Sequence, residues 1–299
     1  LNSLLYLFSY FTGDDEALHL ALSEDGHVFS PFAGGRPVVQ SAVGAESMRD
    51  PFIGRDPKGG FHLLATDSWN SDSIVYSYSA DLVVWTEPTL IPLMEDNPGA
   101  RNTWAPEWFG QPNGTFRIIW SSVCDTETAG LVDFSDLREP QRIWSAITSD
   151  FSKFWPSTPF FAPAFSVIDA SMQQVGNEFV VCFKDERERR DDLKPTKNLY
   201  STVWNPVTGK FGAPLGLISP PRVEGPAWFR RGDEFVIAYD YFMDGGYGAS
   251  SSADLTTLVD LGYRHSSGRA AWSISRDQRR RADVSLIVSV HRKLPLPPR

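Results

Sequence analysis

The feature that most constrains this chain of 299 residues is an internal repeat. A repeat fixes architecture before local propensity does, because each unit buries its apolar face against its neighbour. The unit opens with a short strand carrying an acidic or small residue beside proline. A turn and a strand rich in β-branched and aromatic residues follow, then a third strand, a turn with Ser or Asp, and an aromatic. The first copy runs Arg49-Asp50-Pro51-Phe52-Ile53, Phe61-His62-Leu63-Leu64-Ala65 and Ile74-Val75-Tyr76-Ser77-Tyr78, closing over Ser79 to Trp85. The second has Trp104-Ala105-Pro106-Glu107-Trp108 and Phe116-Arg117-Ile118-Ile119-Trp120, closing over Ser149 to Phe154. The third has Val167-Ile168-Asp169-Ala170-Ser171 and Phe179-Val180-Val181-Cys182-Phe183, closing near Phe211. The fourth has Val223-Glu224-Gly225-Pro226-Ala227 and Phe235-Val236-Ile237-Ala238-Tyr239, closing over Ser252 to Leu255. With Asp50, Ala105, Asp169 and Glu224 taken as equivalent, the copies step by 55, 64 and 55 residues.

Each copy alternates apolar and polar residues at period two and ends in turn residues, which predicts a small antiparallel sheet. Four or more such sheets in series predict a β-propeller, whose radial packing leaves only short edges. A β-sandwich or jelly roll accounts for the strands but not for the steady step. The N-terminal stretch from Leu5 to Val39 reads as a blade lacking its first, inner strand, and the segment from Gly262 to Trp272 is expected to supply it. The expectation is therefore an all-β, five-bladed propeller of four-stranded antiparallel blades, the last closed by N- and C-terminal strands. It forms one domain over 1–299, with 280–299 read as a basic tail.

A net charge of −9 and a pI near 5.1 argue against nucleic acid as a partner, since phosphate binding needs a basic face. No run of 18 apolar residues offers a membrane span. Cys124 and Cys182 sit in apolar, strand-like runs and read as buried free thiols. The sequon Asn113-Gly114-Thr115 and the lack of an initiator Met point to a secreted chain whose leader has been removed, with a cytoplasmic place as the alternative. No phosphate-cradling glycine loop, paired-His zinc spacing or Gly-x-Ser-x-Gly elbow is present.

In a propeller the first strand of each blade lines the central channel. Asp50, Asp169 and Glu224 stand on three such strands. Carboxylates avoid burial unless something requires them there. Three held together repel one another and separate their proton affinities, which divides acid and base roles between like groups. Arg55-Asp56-Pro57-Lys58-Gly59-Gly60, by contrast, reads as a hairpin turn, and Asp14-Asp15 and Lys184-Asp185-Glu186-Arg187-Glu188 as solvated loops. Trp104 offers a ring to stack on a sugar, and Arg49 a donor for a substrate hydroxyl or for a neighbouring acid.

The stretches Met48-Arg49-Asp50-Pro51-Phe52-Ile53, Thr103-Trp104-Ala105-Pro106-Glu107, Ser166-Val167-Ile168-Asp169-Ala170 and Val223-Glu224-Gly225-Pro226 resemble the repeat starts of glycoside hydrolase family 43. These are five-bladed propellers grouped with arabinanases. The resemblance implies inverting hydrolysis of arabinofuranosides, xylosides or galactofuranosides of plant-type saccharides, with Asp50 as general base, Asp169 tuning and orienting the acid, and Glu224 as general acid. An exo-acting α-L-arabinofuranosidase is the expected activity, and β-xylosidase or β-galactofuranosidase the alternatives. By the same resemblance Arg264 contacts substrate and His265 helps hold an axial structural Ca²⁺, while the chemistry itself needs no cofactor. The expected partner is carbohydrate and the expected state a monomer. A retaining relative with Asp50 as nucleophile, or a propeller that binds sugar without cleaving it, are the rival readings.

Overall fold

In the computed structural model, which describes residues 5–124, 141–187, 197–243, 246–253, 259–261 and 282–290, every copy of the repeat is a small antiparallel sheet. Strands β1 (Leu5–Thr12), β2 (His19–Ser23) and β3 (Ser30–Pro31) come first. The next sheet is β4 (Arg49–Arg55), β5 (Phe61–Thr66), β6 (Ile74–Ser79) and β7 (Thr89–Ile91). Then come β8 (Trp104–Gly110), β9 (Phe116–Ser122), β10 (Arg142–Thr148) and β11 (Thr158–Phe161). The third repeat gives β12 (Val167–Val175), β13 (Glu178–Asp185), β14 (Leu199–Asn205) and β15 (Lys210–Phe211), with β16 (Gly216–Leu217) also on β14. The fourth gives β17 (Glu224–Arg231), β18 (Glu234–Asp240), β19 (Tyr247–Ser252) and β20 (Val259–Asp260). Finally β21 (Ala282–Val290) runs antiparallel to β1, so that sheet is ordered β21-β1-β2-β3. The first strands touch in cyclic order, β4 to β8, β12, β17, β21 and back to β4. This is the five-bladed propeller that the repeat predicts.

The strand beside β1 is drawn from the stretch read in the sequence as a basic tail. Residues 262–272, expected in that place, lie outside the described residues. The hairpin turn and the buried free thiols read from the sequence agree with the structure. Asp56 to Gly60 is the β4–β5 hairpin turn, closed by Asp56 N–H to Gly60 O at 2.8 Å. Cys124 and Cys182 are buried and free.

Why the second strands read as continuous apolar runs follows from where their side chains go. Neighbouring residues on a strand point to opposite faces, and in a propeller both faces of a blade are covered by other blades. Leu63 packs with Leu7 and Leu20 on one side, and Leu64 with Trp108 and Ile118 on the other. Ile118 and Ile119, Val180 and Val181, and Val236 and Ile237 divide in the same way between successive cores. The apolar core is thus five interfaces between blades.

The repeated Ser/Asp turn also has a local cause. Ser79 Oγ accepts the N–H of Leu82 at 2.8 Å and Asp81 Oδ1 those of Val83 and Val84 at 2.9 Å. Thr148 and Asp150 do the same for Phe151 and Ser152, and Ser23 and Asp25 for Gly26 and His27. Such side chains satisfy backbone donors that a tight turn would otherwise strand.

Strands β4 and β8 meet closely at a glycine. A Cβ on Gly54 would lie 2.4 Å from Trp108 Cζ2, and that indole donates its N–H to His62 O at 3.1 Å across the blade boundary. Gly54→Ala is therefore expected to cost about 1–3 kcal/mol by overpacking. The readout is a lower urea midpoint at unchanged slope; an unchanged midpoint would mean that Trp108 yields at no cost.

Candidate active site

The inner strands β4, β8, β12 and β17 break register at the same point. The shifts fall between Arg49 and Phe52, Trp104 and Glu107, Ile168 and Ser171, and Glu224 and Ala227. Two residues there face one on the second strand, which is a β-bulge. The first bulged residue takes left-handed backbone: φ is 46° at Asp50, 46° at Ala105, 53° at Asp169 and 57° at Gly225. Asp and Gly tolerate that region, whereas Ala at 105 sits there at a cost of about 1–3 kcal/mol. Proline follows at 51, 106 and 226, where the ladder asks for no N–H.

This geometry corrects the equivalence drawn from the sequence. The bulge position of the fourth repeat is Gly225, and Glu224 stands one residue earlier, in register with Arg49, Trp104 and Ile168. The glycine takes the strained backbone, so the acid reaches the axis from the preceding position.

Asp50, Asp169 and Glu224 all line one cavity of about 860 Å³, counted out to open solvent. A relay of hydrogen bonds ties them from blade to blade. Thr66, opposite Arg49, donates its hydroxyl to Asp50 Oδ2 at 2.8 Å and accepts the bulge N–H of Ala105 at 2.8 Å. Ser121, opposite Trp104, accepts the bulge N–H of Asp169 at 3.0 Å. Asp169 Oδ2 in turn accepts the bulge N–H of Gly225 at 3.2 Å. A hydroxyl serves as donor and acceptor at once, which suits Thr66 to this place.

Lys184, opposite Ile168, occupies the position held by Thr66 and Ser121 in the earlier blades. Its ammonium lies 2.5 Å from Glu224 Oε2 and 2.6 Å from Glu186 Oε1, with the side chain only 3% exposed. Glu186 Oε2 meets Lys197 Nζ at 3.3 Å. The run from Lys184 to Glu188 thus departs from the solvated loop expected of it. Lys184 and Asp185 end β13, both are buried together with Glu186, and Glu188 lies outside the described residues.

The electrostatics follow from this packing. Burial, then the charges of Glu224 and Asp50, push the Asp169 carboxyl up to about 8, against the pull of Lys184. Burial also pushes Glu107 up to about 8, and the charge of Asp169 adds to it. Burial works against the Lys184 ammonium, but Glu224, Glu186 and Asp169 outweigh it and raise its proton affinity. Burial opposes the charge on Glu186, which Lys184 and Lys197 nonetheless hold below the usual carboxylate range. The repulsion expected among the inner acids is present, and it falls on Asp169.

Of the other predicted residues, Trp104 lines the cavity and donates its indole N–H to Trp69 O at 3.0 Å. Arg49 lines it too, paired with Glu16 Oε1 at 2.7 Å and lying 4.6 Å over the Trp69 ring. Arg264 and His265 lie outside the described residues. Among the described residues no three His, Cys, Asp or Glu side chains are grouped to hold a metal ion. Trp69, 60% exposed on the rim, was not singled out in the sequence; its signal was a lone Trp in the polar loop Asp67-Ser68-Trp69-Asn70 after β5. Asp240, buried opposite Glu224, is a further carboxyl in the lining.

Compared with known proteins, the chain matches over residues 3–280 the family described as "Probable glycosyl hydrolase domain", related to glycoside hydrolase family 43. No curated protein matches it. Among solved structures it is similar to a thermostable family-43 glycoside hydrolase, with TM-score 0.62 and 15% identity over 79% of this chain and 77% of that one. It is similar to α-L-arabinofuranosidase from Lactobacillus brevis, with TM-score 0.55 and 17% identity over 71% and 72%. An endo-arabinase from Bacteroides thetaiotaomicron gives TM-score 0.54 and 17% identity over 73% and 81%. At these identities the likeness is one of fold.

The state of Asp169 has a measurable consequence. Its carboxyl holds a proton up to about 8 in the fold, against about 3.9 in an unfolded chain. Between these values the unfolded state binds fewer protons, so stability falls as pH rises. Asp169→Asn is expected to remove that fall and to be the more stable protein at pH 8, compared with wild type by urea unfolding at pH 5 and pH 8. Parallel pH dependences in the two proteins would overturn the assignment.

Proposed function

The chain belongs to the glycosyl hydrolase family related to family 43, and from that premise we propose that it is an inverting, exo-acting α-L-arabinofuranosidase. The observation that carries the reading is the convergence of three carboxyl groups, from three blades, on one open cavity. In this reading Glu224 gives its proton to the glycosidic oxygen as the bond to the anomeric carbon breaks. Asp50 takes a proton from the water whose oxygen forms the new bond on the opposite face. Asp50 ends protonated and Glu224 ionised, and exchange with solvent restores both. The raised proton affinity of Asp169 supports a proton kept in the site at neutral pH, as an acid catalyst requires.

Trp69 and Trp104 meet edge to face at 5.5 Å, giving the rim an apolar wall suited to a sugar ring. A neutral sugar fits the acidic lining better than an anionic one. The choice of α-L-arabinofuranoside leans on the fold likeness to the Lactobacillus brevis enzyme, and secretion on the exposed turn that carries the Asn113 sequon.

Glu224→Gln is expected to lose about 10²–10⁴-fold in turnover of aryl arabinofuranosides with poor leaving groups while still binding them. Proton NMR of the first product formed by wild type reports the stereochemistry. A β-configured sugar from an α-linked substrate supports inversion, an α-configured one makes Asp50 a nucleophile, and preferential turnover of β-xylosides or galactofuranosides would replace the substrate assignment.

A further inference from the structure

A line of alternating charges runs out of the cavity through Glu224, Lys184, Glu186 and Lys197. We infer that Lys184 is a positioning residue for proton transfer: its ammonium fixes Glu224 by Oε2, leaves Oε1 to carry the proton, and stabilises the carboxylate that remains when the proton has gone to the leaving oxygen. The inference rests on the reading of Glu224 as the acid.

Three observations carry it. First, the side chain has left its blade's own network. Where Thr66 and Ser121 accept the next blade's bulge N–H, Lys184 has nothing to accept with; Asp169 takes that bond and the ammonium reaches Glu224 instead. Second, the ammonium end of the contact is buried at 3% exposure with the Phe242 ring 4.3 Å from Nζ, while Glu224, 30% exposed, faces the cavity, so the cation acts on the acid from its buried side. Third, a buried ion pair adds little to stability compared with apolar side chains of the same size, so the fold alone gives no reason to keep one here.

The charges facing this pair come from every side. Asp169 approaches from β12, Asp240 lies opposite Glu224 on β18, and Glu186 with Lys197 stands behind Lys184. Asp50 acts on Asp169 from β4, and Asp169 acts on Glu107 of β8. Lys184 is the cation in contact with Glu224. Among the described residues its removal leaves the acid beside Asp169 and Asp240 without that cation, so the carboxylate formed on proton transfer loses its stabilising charge and the proton is donated less readily.

The test compares kcat/KM against pH for wild type, Lys184→Met and Lys184→Arg, on two aryl arabinofuranosides that differ only in leaving group. For Lys184→Met the alkaline limb is expected to move up by about one pH unit or more. Activity should fall at least about tenfold on the poor leaving group, part of the ~10²–10⁴-fold that general acid catalysis supplies. It should hold within a few-fold on the dinitrophenyl glycoside, which leaves without a proton. Lys184→Arg is expected to keep the limb in place. Because Lys184→Met leaves Glu186 with Lys197 as its remaining cation, the double variant Lys184→Met/Glu186→Gln repeats the measurement in a chain with one buried charge fewer. An unmoved limb together with equal losses on both leaving groups, in single and double variants, would make Lys184 a structural residue and overturn the inference. Absence of turnover by wild type on every glycoside would instead remove the reading of Glu224 on which it stands.

Discussion

The bulge in each inner strand gives up ladder hydrogen bonds at the point where the blades crowd the axis. Its cost is offset by partners that belong to other strands. The freed N–H of Ala105 goes to Thr66, that of Asp169 to Ser121, and that of Gly225 to Asp169. Each of these bonds crosses from one blade to the next, so the irregularity that turns a side chain toward the channel also ties neighbouring blades together. Left-handed backbone is tolerated because the surroundings over-determine it.

That arrangement explains how so many carboxyl groups share one cavity. Each is held by something different: Asp50 by the Thr66 hydroxyl, Asp169 by a backbone N–H and by keeping its proton, Glu224 by an ammonium, and Glu107 by Ser171 and the Met172 N–H. Burial lifts the Asp169 and Glu107 carboxyls to about 8, whereas Lys184 and Lys197 hold Glu186 below the usual carboxylate range, so like groups take unlike proton affinities according to their partners.

The propeller was legible in the sequence because alternation and turn chemistry are local. Leu63 and Leu64, or Ile118 and Ile119, announce a strand covered on both faces, and Ser79 with Asp81 announces its turn. The acids were legible as members of inner strands, yet the phase of Glu224 was not. A step of 55 residues matched it to Asp169, whereas the backbone aligns Gly225, because only φ reveals which residue bulges. Lys184 was misread for a related reason. Lys-Asp-Glu-Arg-Glu has the composition of a solvated loop, and its burial depends on a partner 40 residues away. Trp69 gave only a faint signal, since an exposed aromatic means little until the rim around it is known. The segment expected beside β1, 262–272, lies outside the described residues, whereas Ala282–Val290 pairs with β1.

The division of adjacent side chains between two interfaces leaves no blade with an interior of its own. Tyr6 and Phe8 of β1 rest among Phe229, Val236 and Ala238 of β17 and β18, far away in sequence. A nascent polypeptide therefore carries this aromatic strand without these partners until Phe229 to Ala238 have been synthesised. Maturation is a ring-closing event, and its dominant contacts are among the most distant in sequence, which makes it slow and leaves that strand exposed to misassociation in the meantime.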